Sequence, residues 1–239
     1  MAEARPFAVV TGASSGIGLE LARHFAAYGY DLLITAEGGG LDDVAGDLAQ
    51  PGIVVREVVA DLARTDGVER VVAAIAATGK PVDALALNAG LGTGGAFLGI
   101  PLAAEQQLIG VNVAAPVHLA RQIVPGMVRR GRGRVLFTSS QPGPYGATYH
   151  ASQAFIRSFA RALRAELAGS GVTVTTLLPA PTATGFFGGA GLAAPESLDE
   201  PARVAGNAFH ALMAGRSQVV TSPARNPLQL AARLRLLSR

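Results

Sequence analysis

The chain has 239 residues, 49% of them apolar and 15% charged, which suits one sizeable core and argues against disorder. It contains no cysteine, which excludes disulfides, thiolate catalysis and cysteine zinc sites, and its four histidines (His24, His118, His150, His210) are too scattered to form a metal pair. The net charge of +3 is modest, the basic knot Arg129, Arg130, Arg132, Arg134 reads as a solvated helix end and loop rather than a nucleic-acid surface, and no apolar run reaches the ~18 residues of a membrane span.

In chain order, short β-branched runs alternate with amphipathic stretches rich in Ala, Leu and Arg. Phe7–Thr11 predicts a first strand and Gly16–Tyr28 a first helix. The turn between them reads Thr11-Gly12-Ala13-Ser14-Ser15-Gly16-Ile17-Gly18. Glycines there let the backbone bend sharply and approach a pyrophosphate. The helix N-terminus adds N–H donors and a dipole that favours negative charge. A lone glycine run says little, but one placed between a strand and a helix says much more.

Asp31–Ala36 predicts the second strand, followed by Glu37 and Gly38-Gly39-Gly40, then a helix over Asp42–Ala49. Ile53–Ala60 predicts the third strand, with Asp61-Leu62 after it, then a helix over Asp66–Ala77. The fourth strand, Asp83–Asn88, runs into Asn88-Ala89-Gly90. A long helix follows over Leu102–Arg129, with a kink or break expected at Pro116. Arg134–Ser139 is the fifth strand, Thr148–Ala168 a helix, and Val172–Leu178 the sixth strand, leading into Pro179-Ala180-Pro181-Thr182-Ala183-Thr184. Thr182–Leu198 is rich in Gly, Ala and Pro and long for a connection, so it reads as a binding lid or as a disordered surface loop. A helix over Glu200–Ala214, a strand over Gln218–Thr221 and a helix over Pro227–Leu237 close the chain. The alternation implies an α/β fold, a doubly wound and mostly parallel sheet in three layers, with residues 1–239 as a single domain. The strand runs are apolar on both faces, as a sheet covered on both sides requires.

Taken together, these motifs resemble the short-chain dehydrogenase/reductase family along nearly the whole length. The spacing T-G-x-x-x-G-x-G is similar to that family's version of the dinucleotide loop. The resemblance implies that Gly12, Ser14, Ser15, Gly16, Ile17 and Gly18 hold the cofactor pyrophosphate and that Asp61 with Leu62 meets the adenine. It implies that Asn88, Ala89 and Gly90 support the cofactor side of the sheet and that Asn112 positions a proton-relay water. Pro179, Thr182 and Thr184 fall on the run whose final Thr holds the nicotinamide carboxamide. The tail from Val219 to Leu236 is similar to one branch of the family.

The resemblance breaks at the reaction centre. The family uses Ser, Tyr and Lys, with the last two four residues apart on one helix face. Here the run is Tyr149-His150-Ala151-Ser152-Gln153, so Gln153 stands where the Lys is expected. A free Tyr titrates near 10, so about one in a thousand is ionised at neutral pH, and bringing it to about 7 takes roughly 4 kcal/mol. A nearby ammonium is the main source of that stabilisation. The chain's one lysine, Lys80, precedes the fourth strand, at the end of the sheet opposite the site. Arg157, one turn beyond Gln153, reads as an exposed helix residue. Ser140, with Ser139 as the alternative, matches the catalytic Ser, but the stretch to Tyr149 is about one turn short. Ala180 replaces a Gly beside the nicotinamide.

Glu37 falls where members of the family that prefer NADP place a basic residue. A carboxylate there accepts from a 2′-hydroxyl and repels a 2′-phosphate, unless Glu37 is simply a solvated loop residue. The resemblance therefore implies NAD or NADP as cofactor, with NAD favoured, and a small carbonyl or alcohol substrate. It implies a homo-dimer or homo-tetramer, and the composition and pattern read above add the expectation of a cytoplasmic protein with no metal, nucleic acid or membrane partner. Two readings stand: an NAD(P)-dependent oxidoreductase impaired by Gln153, and a non-catalytic dinucleotide-binding pseudoenzyme acting as a sensor or accessory subunit.

Overall fold

Strands whose side chains are apolar on both faces must be covered twice, and the fold follows from that requirement. A computed structural model describes residues 5–141 and 146–221. Seven strands form: β1 (Phe7–Thr11), β2 (Asp31–Ala36), β3 (Val55–Val59), β4 (Ala84–Leu87), β5 (Gly133–Thr138), β6 (Val172–Leu178) and β7 (Gln218–Val220). They make one sheet in the order β3-β2-β1-β4-β5-β6-β7, with every pair parallel. The helices are α1 (Gly16–Ala27), α2 (Leu41–Leu48), α3 (Thr65–Ala77), α4 (Leu102–Ile109), α5 (Ala115–Arg129), α6 (Ala147–Glu166), α7 (Phe186–Gly189) and α8 (Pro201–Met213). This is the expected doubly wound, three-layer arrangement. The strand order reverses between β1 and β4, and such a reversal opens a crevice over the carboxyl ends of the strands.

The period-2 alternation of each strand divides the core into two slabs. Val9, Leu33, Leu85, Val135 and Phe137 pack with Val71 of α3, Leu119 of α5 and Ile156 of α6. Ala8, Val10, Ile34, Ala86 and Leu136 pack with Phe25 of α1, Leu41 of α2 and Phe209 of α8. The edge strand β3 departs from the expected pattern, because Arg56 and Glu57 are exposed. Charges on an edge discourage pairing with another chain.

The long helix also differs from expectation. Its irregularity is a π-helical turn over Gly110–Ala114, one turn ahead of Pro116. Pro116 sits in the first turn of α5, where its missing N–H costs little. A Cβ on Gly110 would lie 2.6 Å from the Ala63 carbonyl oxygen, so the helix passes against the loop after β3 at this point. The helix expected over Pro227–Leu237 lies outside the described residues. In the basic knot, Arg130 donates to the Val82 and Gly126 carbonyls and Arg132 pairs with Asp83 at 3.6 Å, so both groups serve the helix end.

Lys80 is far from the crevice, as expected. Its ammonium pairs with Asp31 at the start of β2, and Asp31 also accepts from the Val54 N–H at 2.8 Å. Burial alone raises the Asp31 pKa. Hydrogen bonds from Lys80 and Val54 outweigh it and hold the carboxyl below its ordinary value. A group shifted this way contributes stability that is complete above the unfolded pKa of about 4 and is lost as pH falls through the folded one. Lys80→Met leaves Asp31 buried without its cation and is expected to cost about 1–2 kcal/mol at pH 7. Denaturant titrations should show the gap between variant and wild type narrowing below about pH 4.

Candidate active site

The crevice over the carboxyl ends of β1, β2, β4, β5 and β6 is a cleft of about 810 Å³, a size that suits a cofactor or ligand site. Its first wall is the turn from β1 into α1. Gly12 (φ 67°) and Gly16 (φ 56°) adopt the left-handed region that side chains disfavour. A Cβ on Gly12 would lie 2.8 Å from the Ala89 Cα, one on Gly16 2.6 Å from the Thr184 Cγ2, and one on Gly18 2.0 Å from the Gly12 carbonyl oxygen. The three glycines thus bring the first turn against Asn88-Ala89-Gly90, against the segment after β6, and against itself. The N-terminus of α1 has no side-chain cap and no acidic residue in its first turn. Its amides and positive dipole end are therefore free to meet an anion.

The floor is stitched by side chains. The Thr11 hydroxyl oxygen accepts the N–H groups of Asn88 and Ala89, each at 3.0 Å. Asn88 Nδ2 donates to the Thr11 and Gly12 carbonyls at 3.3 and 3.5 Å, and Asn88 Oδ1 accepts from the Thr138 hydroxyl at 3.1 Å. Thr11 stands in the glycine motif, yet its own role was not anticipated. The cue is a hydroxyl on the last residue of a strand next to the reversal of strand order.

Asn112 lies in the π turn, and its side chain is fully engaged. Oδ1 accepts from the Leu91 N–H and Nδ2 donates to the Leu91 carbonyl, both at 2.8 Å; Nδ2 also reaches Ser152 Oγ at 3.1 Å. Ser152 in turn donates to the Tyr149 carbonyl at 2.7 Å. The loop after β4, the π turn and α6 are thereby held as one unit. Tyr149 (5% exposed) and Gln153 (7% exposed) both line the cleft. Gln153 Oε1 is buried and has no hydrogen-bond partner.

Both candidate serines line the cleft. The Ser139 hydroxyl donates to the Gln153 carbonyl at 3.0 Å, and that of Ser140 donates to the adjoining Gln141 carbonyl at 2.9 Å. Arg157 departs from expectation: it is half-buried, and Nη1 donates to the Ser140 carbonyl at 2.8 Å. Gln141, also unanticipated, donates from Nε2 to the Leu178 and Thr221 carbonyls at 3.3 and 2.6 Å. Spacing along α6 could have suggested Arg157; nothing local could have suggested Gln141.

At the other end of the cleft, Glu37 is exposed and lines it beside Ala36 and Gly38. Of the expected adenine pair, Leu62 lines the cleft with Ala60, whereas Asp61 does not. Its Oδ1 accepts the Ala63 N–H at 2.8 Å and shapes the turn instead. After β6, Pro179, Ala180, Thr182 and Thr184 all line the cleft. The Thr182 hydroxyl donates to the Ala180 carbonyl at 2.7 Å, and Thr184 Oγ1 accepts from the Phe186 N–H at 3.3 Å.

The segment 182–198 forms a roof. A parallel bridge joins Thr182 to Asp199 at its base, and the buried Asp199 pairs with Arg203 of α8. At the tip, Phe187 is buried and the Gly94 N–H donates to the Ala190 carbonyl at 2.8 Å. Phe186, Leu192, Ala193, Pro195 and Glu196 face the cleft. Among the described residues, no group of three or more His, Asp or Glu is placed to hold a metal ion, and no helix is long and apolar enough to cross a membrane.

Comparison with known proteins agrees with this geometry. The family model for short chain dehydrogenases matches residues 6–191. The chain is 34% identical over 179 residues to the uncharacterized oxidoreductase YmfI of Bacillus subtilis (strain 168), across 72% of this chain and 73% of that protein. It is 38% identical over 180 residues to the 1-deoxy-11-beta-hydroxypentalenate dehydrogenase of Streptomyces exfoliatus, across 72% and 66% of the two chains. A short-chain dehydrogenase from Sphingobium yanoikuyae, solved in complex with NADPH, superposes with a TM-score of 0.84 at 29% identity and covers 98% of this chain and 95% of that one.

The contact between Gly18 and Gly12 yields a direct test. Gly18→Ala places a methyl 2.0 Å from a backbone oxygen. It is expected to lower stability by roughly 1–3 kcal/mol and to abolish dinucleotide binding, read by thermal unfolding and by NADH fluorescence titration.

Proposed function

Because the chain belongs to the short-chain dehydrogenase family and is thereby an NAD(P)-dependent oxidoreductase by descent, we propose that Tyr149, Ser140, Asn112 and Gln153 form its reaction centre and interconvert a carbonyl compound and its alcohol. The observation that supports this most is the position of Tyr149 and Ser140 in the same cleft as the glycine cradle. The residues present fit a dinucleotide: the glycine turn and the uncapped N-terminus of α1 border the cleft, and the buried Gln153 Oε1 lacks a donor. When bound, a nicotinamide dinucleotide supplies or accepts the hydride.

The chain's own groups then divide the remaining work. The α1 N-terminus would hold the pyrophosphate, with Leu62 towards the adenine and Thr184 towards the nicotinamide end. Gln153 Oε1 would accept a hydrogen bond from a ribose hydroxyl, where the family's ammonium can only donate one. Ser140 exchanges its local bond to Gln141 for the substrate oxygen and polarises it. Tyr149 gives its phenolic proton to that oxygen as the carbonyl carbon takes the hydride, and regains a proton from solvent. Asn112 acts by position, fixing the Leu91 backbone and Ser152 beneath Tyr149.

Removing the ammonium affects the two directions unequally. Reduction needs the protonated phenol. Oxidation needs the phenolate, which a neighbouring ammonium would stabilise and an amide does not. The proposed activity is therefore weighted towards carbonyl reduction, with alcohol oxidation the weaker direction. A homo-dimer or homo-tetramer in the cytoplasm is the assembly that the family relation supports, with the segment 182–198 as the substrate lid. A second reading, a dinucleotide-binding pseudoenzyme, is favoured by one observation: among the described residues lining the cleft there is no lysine, arginine or histidine to take over the missing charge.

Gln153→Lys separates the two readings. General acid–base assistance is worth about 10²–10⁴ in rate, so the substitution is expected to raise alcohol oxidation at pH 7 by about tenfold or more. It should also shift the alkaline limb of the oxidation profile towards neutrality. Tyr149→Phe should abolish turnover in both backgrounds while NADH still binds. Activity that survives Tyr149→Phe removes the Tyr-centred mechanism; bound cofactor with no turnover in any variant establishes the pseudoenzyme.

Cofactor choice is a separate expectation. The neighbour from Sphingobium yanoikuyae is in complex with NADPH, but here the adenosine end carries Glu37, with Asp42 and Asp43 opening α2 just beyond it. Calorimetry should show NAD binding at least about tenfold tighter than NADP, or 1.4 kcal/mol, and Glu37→Ser should narrow the difference.

A further inference from the structure

The charged residues among the described lining of the cleft are Glu37 at the adenosine end and Glu196 in the roof, and both are carboxylates. Between Tyr149 and the roof the walls are hydrocarbon: Leu91, Phe186, Phe187, Leu192 and Pro195. The Phe186 ring lies 5.5 Å from that of Tyr149 and 5.7 Å from that of Phe187, centroid to centroid, so an aromatic wall begins at the phenol itself. Two glycines set how low this wall sits. A Cβ on Gly92 would lie 2.5 Å from the Phe186 Cζ, and one on Gly94 2.6 Å from the Leu192 Cδ2. With any other residue at either place, the roof would have to lift or repack.

These walls are selective. A carboxylate or phosphate that enters loses its water, meets no lysine or arginine in the described lining, and faces Glu196. Burying an unpaired charge is among the costliest events in recognition. A neutral carbonyl compound needs one hydrogen-bonded oxygen, the role proposed above for Tyr149 and Ser140, and gains from every apolar surface it lays on the wall.

We infer that the substrate of this cleft is an uncharged, largely hydrophobic ketone or aldehyde, or the matching alcohol, with its oxygen at Tyr149 and Ser140 and its apolar body against Phe186 and Leu192, and that carbonyl compounds bearing a carboxylate or phosphate are rejected. The inference rests on the oxidoreductase reading for what becomes of the carbonyl; the preference for a neutral ligand belongs to the walls alone.

A matched pair of probes tests it. Acetophenone and 4-acetylbenzoate share a ring and a ketone and differ by one carboxylate. Each is titrated calorimetrically into the protein, with and without saturating NAD, and each is then offered with NADH for turnover. Acetophenone is expected to bind at least about tenfold tighter. Phe186→Ala should weaken it several-fold while 4-acetylbenzoate remains the poorer ligand, and Leu192→Ala provides the same test should the first variant fold badly. A neutral preference without NADH oxidation upholds this inference and removes the catalytic reading. Equal or tighter binding of 4-acetylbenzoate overturns it whatever the turnover, as does acetophenone binding that neither wall variant disturbs.

Discussion

At its carboxyl end β1 must bond in two directions. On one side the Gly12 N–H donates to the Thr35 carbonyl of β2 at 2.8 Å. On the other the Thr11 hydroxyl accepts two N–H groups from the chain leaving β4. A crevice forms here because the crossovers on either side of β1 depart to opposite faces of the sheet, and these few bonds keep its floor closed. Asn88 extends the closure to β5 through Thr138. Everything that lines the cleft is placed relative to this floor: the glycine turn lies above Thr11, the Leu91 loop leaves from Asn88, and the serine segment leaves from Thr138.

The end of the cleft proposed as the reaction centre shows how position and charge can be uncoupled. The segment that leaves β5 is short, yet it is fastened three times: Ser139 to the α6 backbone, Ser140 to Arg157, and Gln141 to the ends of β6 and β7. Tyr149 and Gln153 stay on one face of α6, as their spacing requires. The scaffold around the phenol is thus fastened by bonds that do not involve the Gln153 side chain. In the proposed mechanism, an amide in place of an ammonium changes the electrostatic work at that point, and with it the balance between giving a proton and taking one.

Much of this was legible in the chain because it is local. The glycine turn, the strand ends at Asn88 and Pro179, and the pair Tyr149 and Gln153 are all contained in runs of a few residues whose backbone demands are strict. What was not legible depends on distant partners. Asp61 and Leu62 are neighbours in sequence, but only the loop's path decides that the carboxylate turns inward to Ala63 while the leucine meets the cleft. Arg157 reads as a surface residue until the Ser140 carbonyl is placed beside it. Pro116 announces a break in the long helix in sequence, but the irregularity lies at Gly110–Ala114, where the role of Gly110 appears only against Ala63. Arg56 and Glu57 gave direct notice that β3 is an edge, and the overall apolar character of the strands concealed it.

The roof over the cleft is a loop whose two ends are fastened to each other by the bridge between Thr182 and Asp199, with Arg203 anchoring Asp199 to a long helix. Most of the entropy lost when a flexible segment is ordered comes from confining its ends and its backbone. In this arrangement the confinement of the ends is met by folding, before any ligand arrives. The roof is held at this seam and again at its tip, where the Gly94 N–H meets the Ala190 carbonyl. For the ligand proposed above, a roof ordered in advance leaves less of the ligand's own binding energy to be spent on ordering it, which matters for a compound that offers few polar groups to hold it.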